Sequence, residues 1–275
     1  MLTDDEVSVL KERARDIRAT VIKMLVSAES GHLAGSLGMA DIFTAFYFHI
    51  LNHDPKNPNL EERDRLILSN GHICPVQYAT MAHSGYFPVE ECLTLRKFGS
   101  RLQGHPDRSL LSGIETTSGP LGEGLSQAAG MAYAFRMDEK KQRVYCIMSD
   151  GEQEEGSTWE AVMFIGKNKL SNLIAVIDRN NIQIDGTTEV VMPLESLADK
   201  YRAFNWSVIE VDGNNIVEFV EAIDKAKEEK EKPTVIIAHT VPGKGVPEIE
   251  NDFRWHGKVP TKEEGEKFLK EICHD

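Results

Sequence analysis

The chain lacks three features that would place it in a special class: clustered cysteines, a long apolar run and an excess of basic charge. Its cysteines have no zinc-like spacing and are typical of reduced intracellular thiols. No run approaches about 18 apolar residues, and residues 1–16 are acidic where a signal peptide would be basic and then apolar. These absences predict a cytoplasmic protein with no membrane segment. The four cysteines are Cys74, Cys92, Cys146 and Cys273.

Basic residues are outnumbered, with 31 Lys and Arg against 44 Asp and Glu, and the formal net charge is −13. A nucleic-acid surface needs clustered Lys and Arg, so this balance argues against nucleic-acid binding. The chain also has no internal repeat, low-complexity stretch or interdomain linker. Its 275 residues are enough for one large α/β domain and too few for two full-sized ones. We therefore assign residues 1–275 to a single domain.

The segment 143–186 predicts a βαβ unit. Residues 144–148 and 173–177 are apolar, β-leaning runs, and between them residues 157–170 repeat apolar side chains at helical spacing. A right-handed crossover of this length returns the second strand beside the first and parallel to it. Further strands are predicted over residues 65–69, 207–211 and 234–238, and further helices include those over 39–51, 89–98 and 194–201, while residues 30–38 indicate a glycine-rich loop. Strands and helices thus alternate along the chain. The pattern predicts one doubly wound, mainly parallel sheet with helices on both faces.

Polar residues follow both strands of this unit. Asp150 and Gly151 come after the first strand, and Asn180 and Asn181 come after the second. Both pairs would lie at the carboxyl ends of parallel strands, where open α/β sheets bind ligands. Carboxylate and amide oxygens suit Mg²⁺, and glycine lets the backbone approach a phosphate. The alternative interpretation is a pair of ordinary turns.

Four histidines stand next to glycine in predicted loops: His32, His72, His105 and His256. Imidazole can donate or accept a hydrogen bond and can carry a proton near neutral pH. Several of them around one pocket would suit a reaction that moves protons among hydroxyls and carbonyls. Each alone could equally be a solvated loop residue. The acidic residues between positions 152 and 160 also have a purely structural explanation, because acidic side chains stabilise the amino terminus of a helix.

Taken together, these motifs resemble the amino-terminal half of transketolase over roughly residues 5–260. The segments that carry the resemblance are SGH at 30–32, RDRLILSNGH at 63–72, GHP at 104–106, SGPLGEG at 118–124, SDGE at 149–152, DRNNIQIDG at 178–186 and RWHG at 254–257. That half of the family is the domain that binds the diphosphate of thiamine diphosphate. The resemblance therefore implies an α/β thiamine diphosphate-binding fold.

The resemblance also implies roles for matching residues. The Mg²⁺ ligands would be Asp150, Asn180 and the backbone carbonyl of Ile182. The residues in contact with the ketose and its two-carbon unit would be His32, His105 and His256. The cofactor-binding residues would be His72, Gly119, Pro120, Leu121, Gly151, Glu155, Asn180, Ile184 and His256. Glu155 and Glu160 match acids that face the neighbouring subunit near the cofactor.

Two positions depart from the family pattern. Ser149 replaces the usual glycine before Asp150, which is tolerable if its φ is negative. Leu33 and Ala34 replace the usual proline and glycine after the first histidine motif, and this substitution bears on the shape of that loop.

The resemblance covers only one half of a transketolase. The domain that would carry the glutamate activating the aminopyrimidine is not in this chain. We therefore expect the amino-terminal subunit of a split transketolase, active only with a carboxy-terminal partner subunit in an α₂β₂ assembly. It would move a two-carbon ketol unit from a ketose phosphate to an aldose phosphate.

Two alternatives are open. The chain could be half of another thiamine diphosphate enzyme, such as a deoxyxylulose-phosphate synthase, a 2-oxoacid dehydrogenase or a transketolase for an unusual sugar. It could also be a non-catalytic, cofactor-binding paralogue.

Overall fold

The computed structural model describes residues 2–272, and it is built around one five-stranded parallel sheet. The strand order is β1-β2-β3-β7-β6, and each neighbouring pair runs parallel. A separate two-stranded antiparallel hairpin is formed by β4 and β5. The strands are β1 (Arg65–Leu68), β2 (Val144–Ser149), β3 (Leu173–Arg179), β4 (Ile182–Gln183), β5 (Gly186–Thr187), β6 (Ser207–Asp212) and β7 (Thr234–His239).

Ten α-helices surround the sheet in this part of the chain. They are α1 (Asp4–Ala28), α2 (Ala34–Gly38), α3 (Ala40–Ala45), α4 (Cys74–Ser84), α5 (Gly124–Met137), α6 (Gly156–Lys167), α7 (Thr188–Val191), α8 (Leu197–Ala203), α9 (Ile216–Glu228) and α10 (Lys262–Ile272). The longest, α1, begins with a capping box in which Thr3 accepts from the amide of Glu6 and the Glu6 carboxylate accepts from the amide of Thr3. The amide oxygen of Asn215 caps α9 in a similar way.

Helices cover both faces of the sheet, as the sequence predicts. The alternation along β2 shows this directly: Tyr145 and Ile147 belong to a core formed with α1, α3, α4 and α9. Cys146 and Met148 point to the opposite face and pack with α5, α6 and α8. Every residue of β2 and β3 is buried, which explains why both read as continuous apolar runs instead of alternating ones.

The βαβ prediction is confirmed in type and order, with boundaries moved by a few residues. Residues 144–149 pair in parallel with residues 173–178, and α6 forms the crossover. The expected strands near residues 65, 207 and 234 are also present as β1, β6 and β7. The predicted helix at 194–201 begins later, at Leu197, where Ser196 accepts from the amide of Asp199 and caps it.

Other local predictions are wrong or only partly right. The helix expected over 89–98 is only a 3₁₀ segment, Val89–Thr94, because Arg96 takes a left-handed φ of 59° and its amide bonds to the carbonyl of Leu102. The expected helix over 39–51 is α3 followed by a π-helix, Phe46–Ile50. The glycine-rich loop 30–38 contains α2, and neither α7 nor the β4–β5 hairpin was predicted.

Three of the four cysteines lie within the described residues. Cys74, Cys92 and Cys146 are buried and free of disulfides, and burial raises the pKa of all three thiols. The fourth, Cys273, lies outside the described residues. Across residues 2–272, no helix is both long and apolar enough to cross a membrane.

Candidate functional site

A cavity of about 380 Å³ opens at the carboxyl edge of the sheet, beside the ends of β2 and β3. Histidines, acidic residues and loops that contain glycine line this cavity. The lining residues are His32, His72, His105, Gly119, Leu121, Ser149, Gly151, Glu154, Glu155, Ile182, Gln183, Ile184, Asp185 and His256. The carboxyl edge is where an open parallel sheet places its ligands.

Three of the four predicted histidines pack together as one cluster. The ring centroids of His32 and His72 lie 5.0 Å apart, those of His72 and His256 5.2 Å, and those of His32 and His256 5.7 Å. His105 lines the same cavity, and its ring lies against Gly119. Segments distant in the chain therefore deliver four imidazoles to a single site.

Burial lowers the pKa of all four imidazoles, and their mutual repulsion adds to the effect for His32 and His72. The pKa of His32 falls to about 4. The cluster is therefore neutral at pH 7, so each ring can both donate and accept a hydrogen bond. The Nδ1 atoms of His32 and His256 are buried and have no hydrogen-bond partner among residues 2–272. Such groups can serve a ligand in the cavity.

Asp150 stands between the lining residues Ser149 and Gly151 and is fully buried at the end of β2. Its Oδ1 accepts from the amide of Gly151 at 2.8 Å, and its Oδ2 accepts from the amide of Asn181 at 2.6 Å. The second of these bonds joins the ends of β2 and β3. Burial raises the pKa of Asp150 to about 6, against the opposing effect of Arg179.

The end of β3 adds further oxygen atoms. Asn180 is buried, its Oδ1 accepts from the amide of Ile182 at 3.0 Å, and its Nδ2 donates to Asp178 at 2.8 Å. The hydroxyl of Thr240 donates to the other oxygen of Asp178, and burial raises the pKa of that carboxyl to about 7. The segment is thus held rigidly by side-chain contacts.

The predicted metal ligands fit a hard divalent cation in their chemistry. Asp150, Asn180 and the backbone of Ile182 supply one carboxylate, one amide and one carbonyl oxygen, and hydrogen bonds bring their segments together. Magnesium favours such oxygens and takes its remaining ligands from water or phosphate. Within residues 2–272, no group of three or more His, Cys, Asp or Glu side chains could hold a metal, so a purely side-chain site is not present there.

Arg179 is a site residue that the sequence interpretation missed. Its side chain is 2% exposed, and its guanidinium bonds to Asp150 Oδ2 at 3.0 Å, the Thr188 hydroxyl at 2.8 Å, Glu189 at 2.7 Å and Glu195 at 2.8 Å. It therefore connects Asp150 to the chain around α7. An arginine that follows a buried apolar run almost directly was the available signal, because a guanidinium buried there needs several acceptors.

Glu152 has a different role from the one expected for acids near a helix amino terminus. It is completely buried, and it accepts from the Ser69 hydroxyl, from the amide of Gly122 at 2.7 Å and from the amide of Ser149 at 3.2 Å. Burial raises its pKa to about 7. Glu152 thus ties the ends of β1 and β2 to the loop before α5.

Close backbone contact explains one of the glycines in these loops. A Cβ at Gly71 would meet the Ser118 hydroxyl at 2.6 Å and the amide of Gly119 at 3.2 Å. The loop carrying His72 therefore packs directly on the loop that lines the other side of the cavity. Ser149 is accommodated as the last residue of β2, without a positive φ, and Ala34 opens α2.

The structure gathers most of the predicted site residues. Those that line the cavity are His32, His72, His105, His256, Gly119, Leu121, Gly151, Glu155, Ile182 and Ile184. Asp150 and Asn180 are buried and do not line it, and Pro120 lies exposed between two lining residues. Glu160 is exposed on α6 and does not line the cavity. The lining residues that sequence reasoning did not select are Ser149, Glu154, Gln183 and Asp185.

A match to a family model identifies the class of domain. Residues 9–273 match the family model described as transketolase, thiamine diphosphate binding domain. The fold agrees: the transketolase from Leishmania mexicana superposes with a TM-score of 0.91 at 30% identity, over 96% of this chain and 41% of that one. The transketolase from Campylobacter jejuni gives a TM-score of 0.90 at 33% identity, over 97% of this chain and 42% of that one.

The chain belongs to the transketolase family. It is 43% identical over 254 residues to the 6-deoxy-6-sulfo-D-fructose transketolase subunit SqwG of Clostridium sp. (strain MSTE9), covering 92% of each chain. It is 40% identical over 267 residues to one subunit of the apulose-4-phosphate transketolase of Phocaeicola vulgatus, covering 97% of this chain and 95% of that one. Against the transketolase of Rattus norvegicus it is 39% identical and spans 42% of that protein.

Proposed function

We propose that this chain is the amino-terminal, thiamine diphosphate-binding subunit of a two-chain transketolase. The reaction is transfer of a two-carbon ketol unit from a ketose phosphate to an aldose phosphate. The observation that carries the proposal is the convergence of four neutral histidines on one cavity, whose lining also includes Gly151 and Ile182, close in the chain to the buried Asp150 and Asn180. The oxygen atoms of Asp150 and Asn180 would bind the metal ion that a diphosphate cofactor requires. The imidazoles would hydrogen-bond the hydroxyls of a sugar.

Asp150, Asn180 and the Ile182 carbonyl would hold Mg²⁺, which neutralises the charge of the diphosphate. His72 and Gly151 would contact the diphosphate, and the loop Gly119-Pro120-Leu121 would line the aminopyrimidine, with Ile184 and Glu155 beside the cofactor. When bound, thiamine diphosphate supplies the nucleophile and the electron sink that allow the C2–C3 bond of a ketose to break. The protein then has to orient the sugar and to move its hydroxyl protons.

The imidazoles suit that task. His32, His105 and His256 would hydrogen-bond the hydroxyls and the carbonyl of the sugar, and a neutral ring can take a proton from one oxygen and return it to another. Because burial keeps their pKa low, these rings stay neutral near pH 7 and are free to accept. A cationic cluster could only donate.

A partner subunit would complete the site. The two relatives named as subunits match this chain over nearly their whole length, whereas this chain spans 42% of a single-chain transketolase. The segment that continues from the lining residues 183–185 also carries exposed apolar side chains, which a partner would cover. These are Ile184, Val190, Val191 and Met192. Glu155 and Glu160 are exposed nearby in the chain, as expected for acids that face a neighbouring subunit. We infer an α₂β₂ assembly, located in the cytoplasm.

An unusual-sugar substrate is a second candidate. The two relatives named as subunits act, by their names, on 6-deoxy-6-sulfo-D-fructose and apulose 4-phosphate. Their identity of 40–43% is slightly above the 39% to the rat transketolase. The residues that grip the far end of the sugar would lie on the partner, so the assay should include these sugars.

The test compares this chain alone with this chain plus the carboxy-terminal subunit from the same organism. Both samples are saturated with Mg²⁺ and thiamine diphosphate and assayed for two-carbon transfer with xylulose and ribose phosphates and with the two unusual sugars. We expect turnover only in the two-chain sample, because one wall of the cofactor site is absent from the single chain. Turnover by the single chain would refute the split enzyme, and inactivity of the verified complex on every pair would refute the transketolase assignment.

A further inference from the structure

A second cavity, of about 280 Å³, lies between α1, α3 and the loops that follow β6 and β7. It shares no lining residue with the histidine cavity. Its walls are mainly cationic. The lining residues are Lys11, Arg15, Arg18, Asp41, Asn214, Lys244, Gly245 and Ile272.

The positive charge converges from two segments. Lys11, Arg15 and Arg18 follow one another at steps of four and three, so they share one face of α1, and Lys244 comes from the loop after β7. Asp41 is the one carboxylate in the lining, and Arg18 already pairs with it. The cavity thus holds four cations and one anion, in a chain whose net charge is −13.

Three of these cations have no acidic partner of their own. Among residues 2–272, no carboxylate lies within ion-pair distance of Lys11, Arg15 or Lys244. Like charges gathered around a concave surface repel one another, and an anion between them removes that cost.

The walls of the cavity are fixed by hydrogen bonds. Arg18 Nε donates to the carbonyl of Leu37 at 3.1 Å, in addition to its bond with Asp41. Asn214 Nδ2 donates to Asp41 at 2.8 Å, and its Oδ1 accepts from the amide of Val241 at 2.8 Å. These contacts hold α1, α3 and both loops in place without a ligand. The backbone that carries the cations is therefore preorganised, which lowers part of the entropy cost of binding.

We propose that this cavity is a second ligand site, which binds a small phosphorylated metabolite. Arginine and lysine are the side chains that recognise phosphate, arginine through paired N–H donors and lysine as a point charge. The volume lies just below the range of about 300–1,000 Å³ that holds drug-sized ligands, so it suits a compact anion. The site is distinct from the proposed cofactor site and does not depend on it.

The test is calorimetric titration of the full chain with inorganic pyrophosphate as the probe, in EDTA so that no divalent metal takes part. We expect one bound pyrophosphate per chain, and a rise in Tm of about 2–4 °C at a concentration near ten times Kd. The double variant Arg15→Gln with Lys244→Gln should bind at least about tenfold more weakly. Both residues are partly exposed, so this variant should fold.

Two controls make the outcome decisive. The matched double variant Lys23→Gln with Lys225→Gln removes the same charge from exposed positions on α1 and α9, and it should bind like the wild type. His72→Gln alters the histidine cavity and should also bind like the wild type. The proposal would be overturned if the affinity for pyrophosphate fell equally in both double variants, or if it fell only in His72→Gln. So would an absence of binding, or binding of citrate as tight as that of pyrophosphate, since citrate carries no phosphate.

Discussion

At the scale of single residues, Asp150 serves the fold and the proposed metal site together. Its two oxygens accept from the amides of Gly151 and Asn181 and from Arg179, so the carboxylate is held at the junction of β2 and β3. Its pKa of about 6 reflects the cost of burying the charge. A divalent cation at this position would offset that cost, because it favours the ionised form.

We expect Asp150→Asn to weaken Mg²⁺-dependent binding of thiamine diphosphate by at least about 100-fold in the two-chain enzyme. The amide keeps the shape of the side chain but removes the charge that attracts the ion. Calorimetry with and without Mg²⁺ measures the effect, and far-UV circular dichroism checks the fold. Asp16→Asn, an exposed change on α1, is the matched control. Wild-type affinity in Asp150→Asn would rule out this carboxylate as a ligand.

His105 should act on the sugar rather than on the cofactor. It lines the cavity on the side of Gly119, and it is the least buried member of the four histidines. We expect His105→Ala to lower kcat/KM for ketose donors about 5- to 150-fold, the range of one lost hydrogen bond of about 1–3 kcal/mol.

Cofactor affinity is the second readout for His105→Ala, and it should change little. The exposed His49 supplies the control, because His49→Ala removes an imidazole outside the cavity and should leave both quantities unchanged. A large loss of cofactor affinity with normal turnover at saturating cofactor would contradict the assigned role.

At the scale of elements, the crossover helix α6 depends on a glycine. A Cβ at Gly166 would overlap the carbonyl oxygen of Phe204, which lies just after α8, so the two elements pack with backbone against backbone. By contrast, a Cβ at Gly130 in α5 would meet no atom within 4 Å. A side chain is therefore sterically excluded at Gly166, whereas there is space for one at Gly130.

We expect Gly166→Ala to lower the free energy of unfolding by about 1–3 kcal/mol, through overpacking against Phe204. Gly130→Ala should raise it by about 0.5–1 kcal/mol, since alanine favours a helix more than glycine does. Urea denaturation of the two variants beside the wild type gives both values. Equal effects of the two substitutions would show that packing at Gly166 has been misjudged.

Sequence patterns predicted the elements unevenly. The βαβ unit was predictable because a six-residue strand and a three-turn helix between turn residues admit few other arrangements. The helix expected at 89–98 failed because the hydrogen bond from Arg96 to Leu102 joins the segment to a later loop. The β4–β5 hairpin has strands of two residues each, too short for any periodicity to be visible.

At the scale of the whole molecule, the exposed apolar side chains at Ile184 and over residues 190–192 are the feature that a partner would explain. Val190 is 82% exposed, and Ile184 and Met192 are both more than half exposed. An isolated domain gains nothing from exposing them together. We therefore expect Val190→Asp to weaken assembly with the carboxy-terminal subunit.

Analytical ultracentrifugation of the two-chain mixture measures this prediction, and we expect Kd to rise at least about tenfold, since burying an unpaired carboxylate in an interface is costly. The same carboxylate in the free chain remains in water, so the Tm of the free chain should not change. Val9→Asp, at a 48% exposed position on α1, is the control. If both variants assemble normally, the partner does not cover Val190.

The sequence by itself determined the layered α/β architecture, the parallel strands and the identity of the residues at their ends. Those follow from local periodicity and from turn chemistry, which act over a few residues. It also marked the four histidines, because each stands beside glycine in a motif. Only the tertiary structure decided that His32, His72 and His256 pack with their ring centroids 5.0–5.7 Å apart.

The tertiary structure likewise decided the roles of Arg179 and Glu152. In the sequence, the first is one basic residue after a strand, and the second is one acid before a helix. Their burial arises from contacts with segments far away, such as Glu152 with Ser69 and Arg179 with Glu195. A buried charge is stable only where distant acceptors or donors converge on it, and that convergence is a property of the fold.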